Sequence, residues 1–255
     1  NAGVTVDSVS SYGIGFLMFN CQKAPFNDKR VRQAFFYAID YDKLISNQLG
    51  GQAETLTSYL PKDNPAYHEA STVYKYDPEK AKSLLKEAGQ ENLSFTIKDL
   101  AAQIQQDLQA VGLTCTLDVQ AAPYPSLAAK EDNSVLDYDV FLAPGDVSCF
   151  GTNADVHLAW FYGENTDWCQ GRTCWAKAGD GKCTEFNQYL DEARRATDAG
   201  ARQEAYNKCF DIIAEEVPLY PLFHKKVLTG YWADKIEGFE PSPTTGLYFQ
   251  DAKLK

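Results

Sequence analysis

The chain has 255 residues, enough for one large α/β domain or two small ones. Hydrophobic residues make up 44% and charged residues 23%, an ordinary globular composition that predicts a packed core. The formal net charge of −11 argues against nucleic-acid binding, because acidic surfaces repel phosphate and the basic residues form no cluster.

Seven cysteines are many for a cytosolic domain of this size. Disulfides persist outside the cytosol, so the count favours an exported protein, and the odd number leaves at least one thiol free or paired elsewhere. No apolar run approaches the ~18 residues of a membrane span, and no signal peptide is recognisable. The opening Asn-Ala-Gly lacks Met and indicates a trimmed start or a cloning remnant.

The first part of the chain predicts two helices and a long loop. Residues 28–39 place apolar side chains on one helical face, and Asn27 or Asp28 can cap this helix. Asp40 can cap a second helix that runs to about Leu49. Residues 51–76 contain scattered Pro and Asn and predict a loop that wraps a surface.

Strands and helices alternate through the rest. Asp77-Pro78-Glu79 is a typical helix start, since it places a cap, a first-turn proline and an acidic residue in order. The further predicted elements are strand 93–97, a helix capped by Asp99, strand 113–119, a Pro-broken segment around Tyr124, buried strand 138–143, helices 153–162, 184–198 and 201–216, strand 227–232 and a closing strand at 247–249. This alternation predicts an α/β sheet covered by helices.

Three segments resemble the bacterial extracellular solute-binding proteins that carry peptides, nickel complexes and related solutes. Residues 20–45 read NCQKAPFNDKRVRQAFFYAIDYDKLI, with five residues between Arg32 and Ala38-Ile39-Asp40. Residues 76–89 read YDPEKAKSLLKEAG, and residues 205–224 end in VPLYPLFH. A weaker fourth match is AAQIQQDLQAVG at 101–112. The segments occur in the family's order and span nearly the whole chain.

The resemblance implies a type II periplasmic-binding-protein fold, an α/β lobe with a mixed sheet flanked by helices. It implies that residues 1–255 form only the C-terminal lobe, without the N-terminal lobe, and that 1–20 and 233–255 are hinge or inter-lobe strands. The implied function is the substrate-binding component of an ABC importer, which captures oligopeptides or similar small solutes in a cleft between two lobes.

The family also implies the partners and the location. An ABC transporter permease would receive the solute, and the parent protein would be exported to the periplasm or cell surface and tethered to the membrane by a lipid anchor. Neither a cofactor nor an enzymatic activity is implied, and the chain has no G-x-S-x-G, H-E-x-x-H or P-loop motif.

The loop after strand 138–143 is the predicted ligand site, because solutes bind beyond the carboxyl ends of strands in open α/β sheets. Asp146, Ser148 and Phe150 are the candidate ligand contacts there. In peptide-binding relatives this loop carries an Asp that holds the peptide ammonium group. Cys149 stands about where that Asp lies, so recognition of a free amine does not follow from the resemblance. Alternatively, Asp146 bonds only its own turn.

Five aromatic residues cluster beside that loop, and we expect about two of them to reach the cleft. Trp168 and Trp175 are the preferred candidates because they lie in a Gly-rich stretch, whereas some of the others must face the core. The five are Trp160, Phe161, Tyr162, Trp168 and Trp175. Nearby Arg172 either binds a carboxylate or is an ordinary exposed side chain.

Cys169, Cys174 and Cys183 lie close in sequence, but their spacing and the absence of an accompanying His argue against zinc. We expect a disulfide instead, either Cys174–Cys183 or Cys169–Cys183.

In residues 20–45, the charges of Arg30, Arg32 and Asp40 are interpreted as caps and ion pairs and not as an anion site.

Two alternative functions remain open. The chain could be an isolated structural or interaction lobe that binds no solute of its own. A weaker alternative is a thiol enzyme that uses Cys149 with His157, although the sequence offers no third group to orient the pair.

Overall fold

A computed structural model describes residues 3–98, 102–118, 138–244 and 247–255. The predicted Asp99 cap and the segment around Tyr124 lie outside these ranges. The strands are β1 Thr5–Phe19, β2 Ala53–Glu54, β3 Ser94–Lys98, β4 Thr114–Asp118, β5 Val140–Asp146, β6 Leu219–Tyr231, β7 Ile236–Glu237 and β8 Lys253–Leu254. The α-helices are α1 Lys29–Ala38, α2 Tyr41–Lys43, α3 Pro78–Glu87, α4 Ala102–Ala110, α5 Ala154–Tyr162, α6 Lys182–Arg195 and α7 Ala199–Glu216.

The main sheet has six strands in the order β2-β6-β1-β5-β3-β4. β3 pairs in parallel with β4 and β5, whereas β1 pairs antiparallel with β5 and β6. The sheet is therefore mixed, and β1 lies at its centre. Past the end of β5, the first half of β1 pairs only with the last half of β6 and forms a two-stranded ribbon.

Local sequence signals explain where the helices begin. The Asp28 carboxylate accepts a hydrogen bond from the Arg30 amide at the start of α1, and Asp77 accepts one from the Lys80 amide at the start of α3. Asp40 caps α2, which continues as a π-helical turn over Leu44–Gln48. Each cap satisfies a backbone N–H that has no partner within the helix.

Helix α1 packs its aromatic face onto the sheet. Phe19 of β1 contacts Phe26, Phe35 and Phe36 at ring-centroid distances of 5.7, 5.3 and 6.0 Å, and all four rings are buried. Mostly edge-to-face contacts of this kind add to the stability gained from apolar burial. The Ala-Phe stripe of residues 20–45 therefore holds the core together.

The charges of this segment have structural partners. The Arg32 guanidinium is 1% exposed and donates to the main-chain oxygens of Glu216 and Phe26. Arg30 pairs with Asp28, and Asp40 pairs with Lys43. These contacts agree with the interpretation of the charges as caps and ion pairs.

The last strands differ from the prediction. Strand β6 is much longer than 227–232, because Pro221 is accommodated where the β1–β6 register shifts between Gly15 and Phe16. A bulge tolerates the missing N–H of a proline. The closing strand is Lys253–Leu254, which pairs with β7, and the prediction of a strand at 247–249 is wrong.

None of the described helices has the length and apolarity needed to cross a membrane.

Candidate functional site

A groove of about 400 Å³ lies at the carboxyl end of β5, where the β1–β6 ribbon leaves the sheet. Gly13 of β1 faces Asp146 of β5 across the last paired position. The C-terminal tail forms the opposite wall. The lining residues used below are Ser11, Gly13, Asp146, Thr229, Pro243 and Leu247.

Asp146 is the charged side chain of this groove, and it is exposed. Its Oδ1 accepts a hydrogen bond from the Ser148 amide at 2.9 Å, so the side chain also stabilises its own turn. A carboxylate has several acceptor positions, and this single bond leaves capacity for a ligand donor. The turn and the ligand interpretation of Asp146 are therefore compatible.

Ser148 and Phe150 occupy the short 3₁₀ turn that follows. Ser148 is 9% exposed, whereas Phe150 is half-buried and packs against His157 and Trp160 at ring-centroid distances of 5.5 and 5.4 Å. Phe150 thus links the turn after β5 to His157 and Trp160 of α5.

His157 of α5 contacts this loop from its buried side. Its ring is 1% exposed, stacks on Tyr12 at 5.2 Å, and places Nε2 2.9 Å from the Gly151 carbonyl oxygen. Burial lowers the pKa of His157, and the hydrogen bond to Gly151 opposes this shift. The neutral ring is therefore favoured, with Nε2–H donating to Gly151.

Trp168 and Trp175 lie inside the lobe, at 3% and 1% exposure. The Trp168 ring packs against Phe16 and Phe161, and the Arg172 guanidinium lies 4.1 Å from its centroid. In this conformation the two indoles contribute to packing, and a role for them in ligand contact stays a prediction. Arg172 covers Trp168, a contact that the sequence did not indicate.

Trp160 is the aromatic residue of this cluster that the structure exposes, at 49%. The buried side of α5 carries Ala154, His157, Leu158 and Phe161, which recur at helical spacing, and Trp160 falls outside that stripe. Helical periodicity could have identified it. The groove residues Ser11, Thr229 and Leu247 were missed because only the tertiary fold brings their segments together.

The arrangement does not organise the Cys149–His157 pair for catalysis. Cys149 is exposed, whereas the His157 ring is buried with Nε2 bound to Gly151. A nucleophile and its base need to lie within hydrogen-bond reach of each other. The groove has instead the character of a binding site, with a carboxylate, three hydroxyl groups and apolar walls.

Comparison with known proteins identifies the class. Residues 1–167 match the family model described as "Bacterial extracellular solute-binding proteins, family 5 Middle". The chain belongs to this family, whose members bind solutes and are not enzymes.

Two curated relatives and one solved structure show the extent of the likeness. The chain is 27% identical over 90% of its length to the probable ABC transporter periplasmic-binding protein SapA of Escherichia coli. It is 25% identical over 95% to the dipeptide-binding protein of the same species. The structure of HbpA2 from Haemophilus parasuis superposes with a TM-score of 0.82 at 19% identity, covering all of this chain and half of that one.

The structural likeness confirms the expected fold, a type II periplasmic-binding-protein-like lobe with a mixed sheet flanked by helices. The chain spans only 42% and 46% of the two curated relatives, a share that fits one lobe.

Proposed function

We propose that this chain is the C-terminal, solute-contacting lobe of an exported receptor that delivers oligopeptides or similar small solutes to an ABC importer permease. The observation that carries the proposal is the groove beside Asp146, which lies at the sheet edge where ligands of open α/β sheets bind. Family membership and the relatives' names, which include a dipeptide-binding protein, support the solute class.

The groove chemistry suits a short peptide. Asp146 offers a carboxylate to an ammonium or amide donor, and the Thr229 hydroxyl group can exchange hydrogen bonds with peptide groups. Ser11 is already engaged, since its hydroxyl donates to the Lys225 main-chain oxygen and accepts from the Gly13 amide. Pro243 and Leu247 provide apolar contact for side chains. Phe150 and Trp160 extend this surface outward. The contact residues that we propose are Asp146, Ser148 and Phe150, with Trp160 added.

The second lobe would contact an apolar strip, defined as Val6, Leu228, Trp232, Leu247, Tyr248 and Phe249, which are 50–61% exposed. Exposed apolar groups this close together are typical of interaction surfaces. The first half of β1 supplies Val6, and residues 233–255 supply Leu247, Tyr248 and Phe249. We propose that these two segments are the hinge or inter-lobe strands, whereas the second half of β1 belongs to the main sheet. Closure of the two lobes would cover the groove and its solute.

The strip also supports the alternative of an interaction lobe without its own solute. Native mass spectrometry of the full-length protein with a pool of dipeptides to pentapeptides separates the two functions. We expect mass additions that correspond to single bound peptides. If the intact two-lobe protein retains no peptide, the peptide proposal is wrong and the interaction lobe is favoured.

A further inference from the structure

Cys169 and Cys183 meet inside the lobe. Their sulfur atoms lie 3.3 Å apart, and the two residues are 0% and 4% exposed. Cys169 belongs to the π-helical turn Trp168–Arg172, and Cys183 lies in the first turn of α6. The two sulfur atoms thus bring together segments that are separated along the chain by residues 173–181.

The other cysteines have different neighbours. The sulfur atoms of Cys21, Cys174 and Cys209 lie 3.7 Å from the main-chain oxygens of Phe19, Gly171 and Phe186. Cys149 is exposed and Cys115 lies on β4. Across the described ranges, no group of three His, Cys, Asp or Glu residues is arranged to hold a metal ion. The contact is therefore a pair and not part of a ligand cluster.

We propose that Cys169 and Cys183 form a disulfide in the exported protein, and that Cys174 stays a thiol. The oxidant is a protein disulfide of the oxidising compartment. The thiolate of one cysteine attacks that disulfide, which gives a mixed disulfide and releases one partner thiolate. The second cysteine then attacks the mixed disulfide. The Cys169–Cys183 bond forms, and the second partner sulfur leaves, so two thiols are oxidised while one disulfide is reduced to two thiols.

The surroundings indicate when this exchange occurs. Contact with Cys183 and burial both raise the pKa of the Cys169 thiol, so the folded lobe disfavours the thiolate that must attack. Burial also keeps a protein oxidant from reaching either sulfur. Oxidation therefore accompanies folding, and the finished bond is protected from reductants.

The bond would fix the turn that carries Trp168. That ring fills the space between Phe16 and Phe161 and lies beneath Arg172. The two cysteines are 14 positions apart in the sequence, so the bond would close a loop and reduce the conformational freedom of the unfolded chain. Reduction should accordingly lower the melting temperature by roughly 5–10 °C.

Peptide mapping tests the pairing directly. Trypsin cleaves after Lys130, Arg172, Lys177, Lys182 and Arg194, so Cys169, Cys174 and Cys183 fall on the separate peptides 131–172, 173–177 and 183–194. The full-length protein, exported from cells and alkylated under denaturing conditions without reductant, should yield 131–172 linked to 183–194. Peptide 173–177 should be alkylated. A 173–177 to 183–194 link, or alkylation of both Cys169 and Cys183, overturns the proposal.

Two variants complete the test. Peptide 131–172 also holds Cys149, so the link must persist in Cys149→Ser. Thermal unfolding gives a second measurement, which compares the oxidised protein with protein that was reduced while unfolded and then refolded in dithiothreitol. Cys174→Ser should keep the shift caused by reduction, and Cys169→Ser should lose it. An equal shift in Cys169→Ser contradicts the proposal. If that variant does not fold, the map of the unsubstituted protein still decides. Neither measurement depends on solute binding.

Discussion

Arg32 illustrates at the scale of one residue how a family motif serves the fold. Its guanidinium is buried between α1 and the end of α7, where Nε and Nη2 donate to the Glu216 main-chain oxygen at 2.9 and 2.6 Å. Nη1 donates to the Phe26 oxygen at 2.8 Å. The Glu216 carboxylate, 3.5 Å from Nη2, balances the charge. One side chain thus satisfies carbonyl groups on two segments.

Replacing Arg32 by Ala should destabilise the protein by about 2–5 kcal/mol, because the main-chain oxygens of Glu216 and Phe26 lose their buried donors, while the Glu216 carboxylate keeps only its pair with Lys29. Urea unfolding followed by circular dichroism measures the change. Arg30→Ala on the same helix is the control and should have little effect, since its pair with Asp28 is partly exposed. If both variants lose the same free energy of unfolding, the burial of Arg32 does not explain its contribution to stability.

His157 predicts a dependence of stability on pH. Burial lowers its pKa in the folded state below the ordinary value of 6.5, so below that pH the unfolded chain binds the proton more readily. Its contribution is complete above about pH 6.5 and is lost as the pH falls. His157→Gln keeps a donor for Gly151 but does not titrate.

The measurement is the free energy of unfolding of both proteins from pH 7.5 to 5. The stability of the unsubstituted protein relative to His157→Gln should decrease towards low pH. A difference in the free energy of unfolding that does not change with pH would contradict this prediction. A difference that grows in favour of the unsubstituted protein at low pH would mean that the folded state raises the pKa of His157. The same measurement shows how much the His157 ring, which is hydrogen-bonded to Gly151 in this loop, contributes to stability.

At the scale of elements, the close pairing of β1 with β6 depends on a glycine. A Cβ atom on Gly15 would lie 2.3–2.8 Å from atoms of the Phe223 ring on the neighbouring strand. The Phe223 ring therefore covers Gly15 at the register shift. β1 can approach β6 this closely because residue 15 has no side chain.

Gly15→Ala should destabilise the lobe by about 1–3 kcal/mol through overpacking. The double variant Gly15→Ala/Phe223→Leu should lose less than the sum of the two single changes, since the smaller side chain relieves the contact. Denaturant unfolding measures all three. The control Gly230→Ala meets only an ordinary contact at 3.4 Å with Val4 and should cost less. Additive losses would contradict the proposed clash.

Local signals predicted most elements of the fold. Asp28 and Asp77 mark the starts of α1 and α3, because capping depends on neighbouring residues alone. The extent of β6 was not predicted, because Pro221 reads as a break unless the bulge opposite it is known. In the candidate site, the position of Asp146 at the end of a buried strand was predicted, and its role in ligand contact stays a prediction. The burial of Trp168 and Trp175 depends on distant segments that sequence spacing does not show.

At the scale of the whole molecule, the apolar strip is the surface that we propose contacts a second lobe. Leu228→Glu should change the melting temperature of the 255-residue chain little, because Leu228 is 50% exposed there. In the proposed two-lobe protein the same charge would be buried between the lobes, and the melting temperature should fall. Differential scanning calorimetry of both proteins checks this. Equal effects would argue against an inter-lobe role for the strip.

The solute groove beside Asp146 is tested most directly by calorimetric titration of the full-length protein with a tripeptide and its N-acetylated form. If Asp146 receives the ammonium group, acetylation should weaken binding about tenfold or more, because a charged hydrogen bond is lost. Asp146→Asn should remove that difference, whereas the control Asp191→Asn, at a half-exposed position of α6, should keep it. Equal affinity for both peptides, unchanged by Asp146→Asn, would contradict the account.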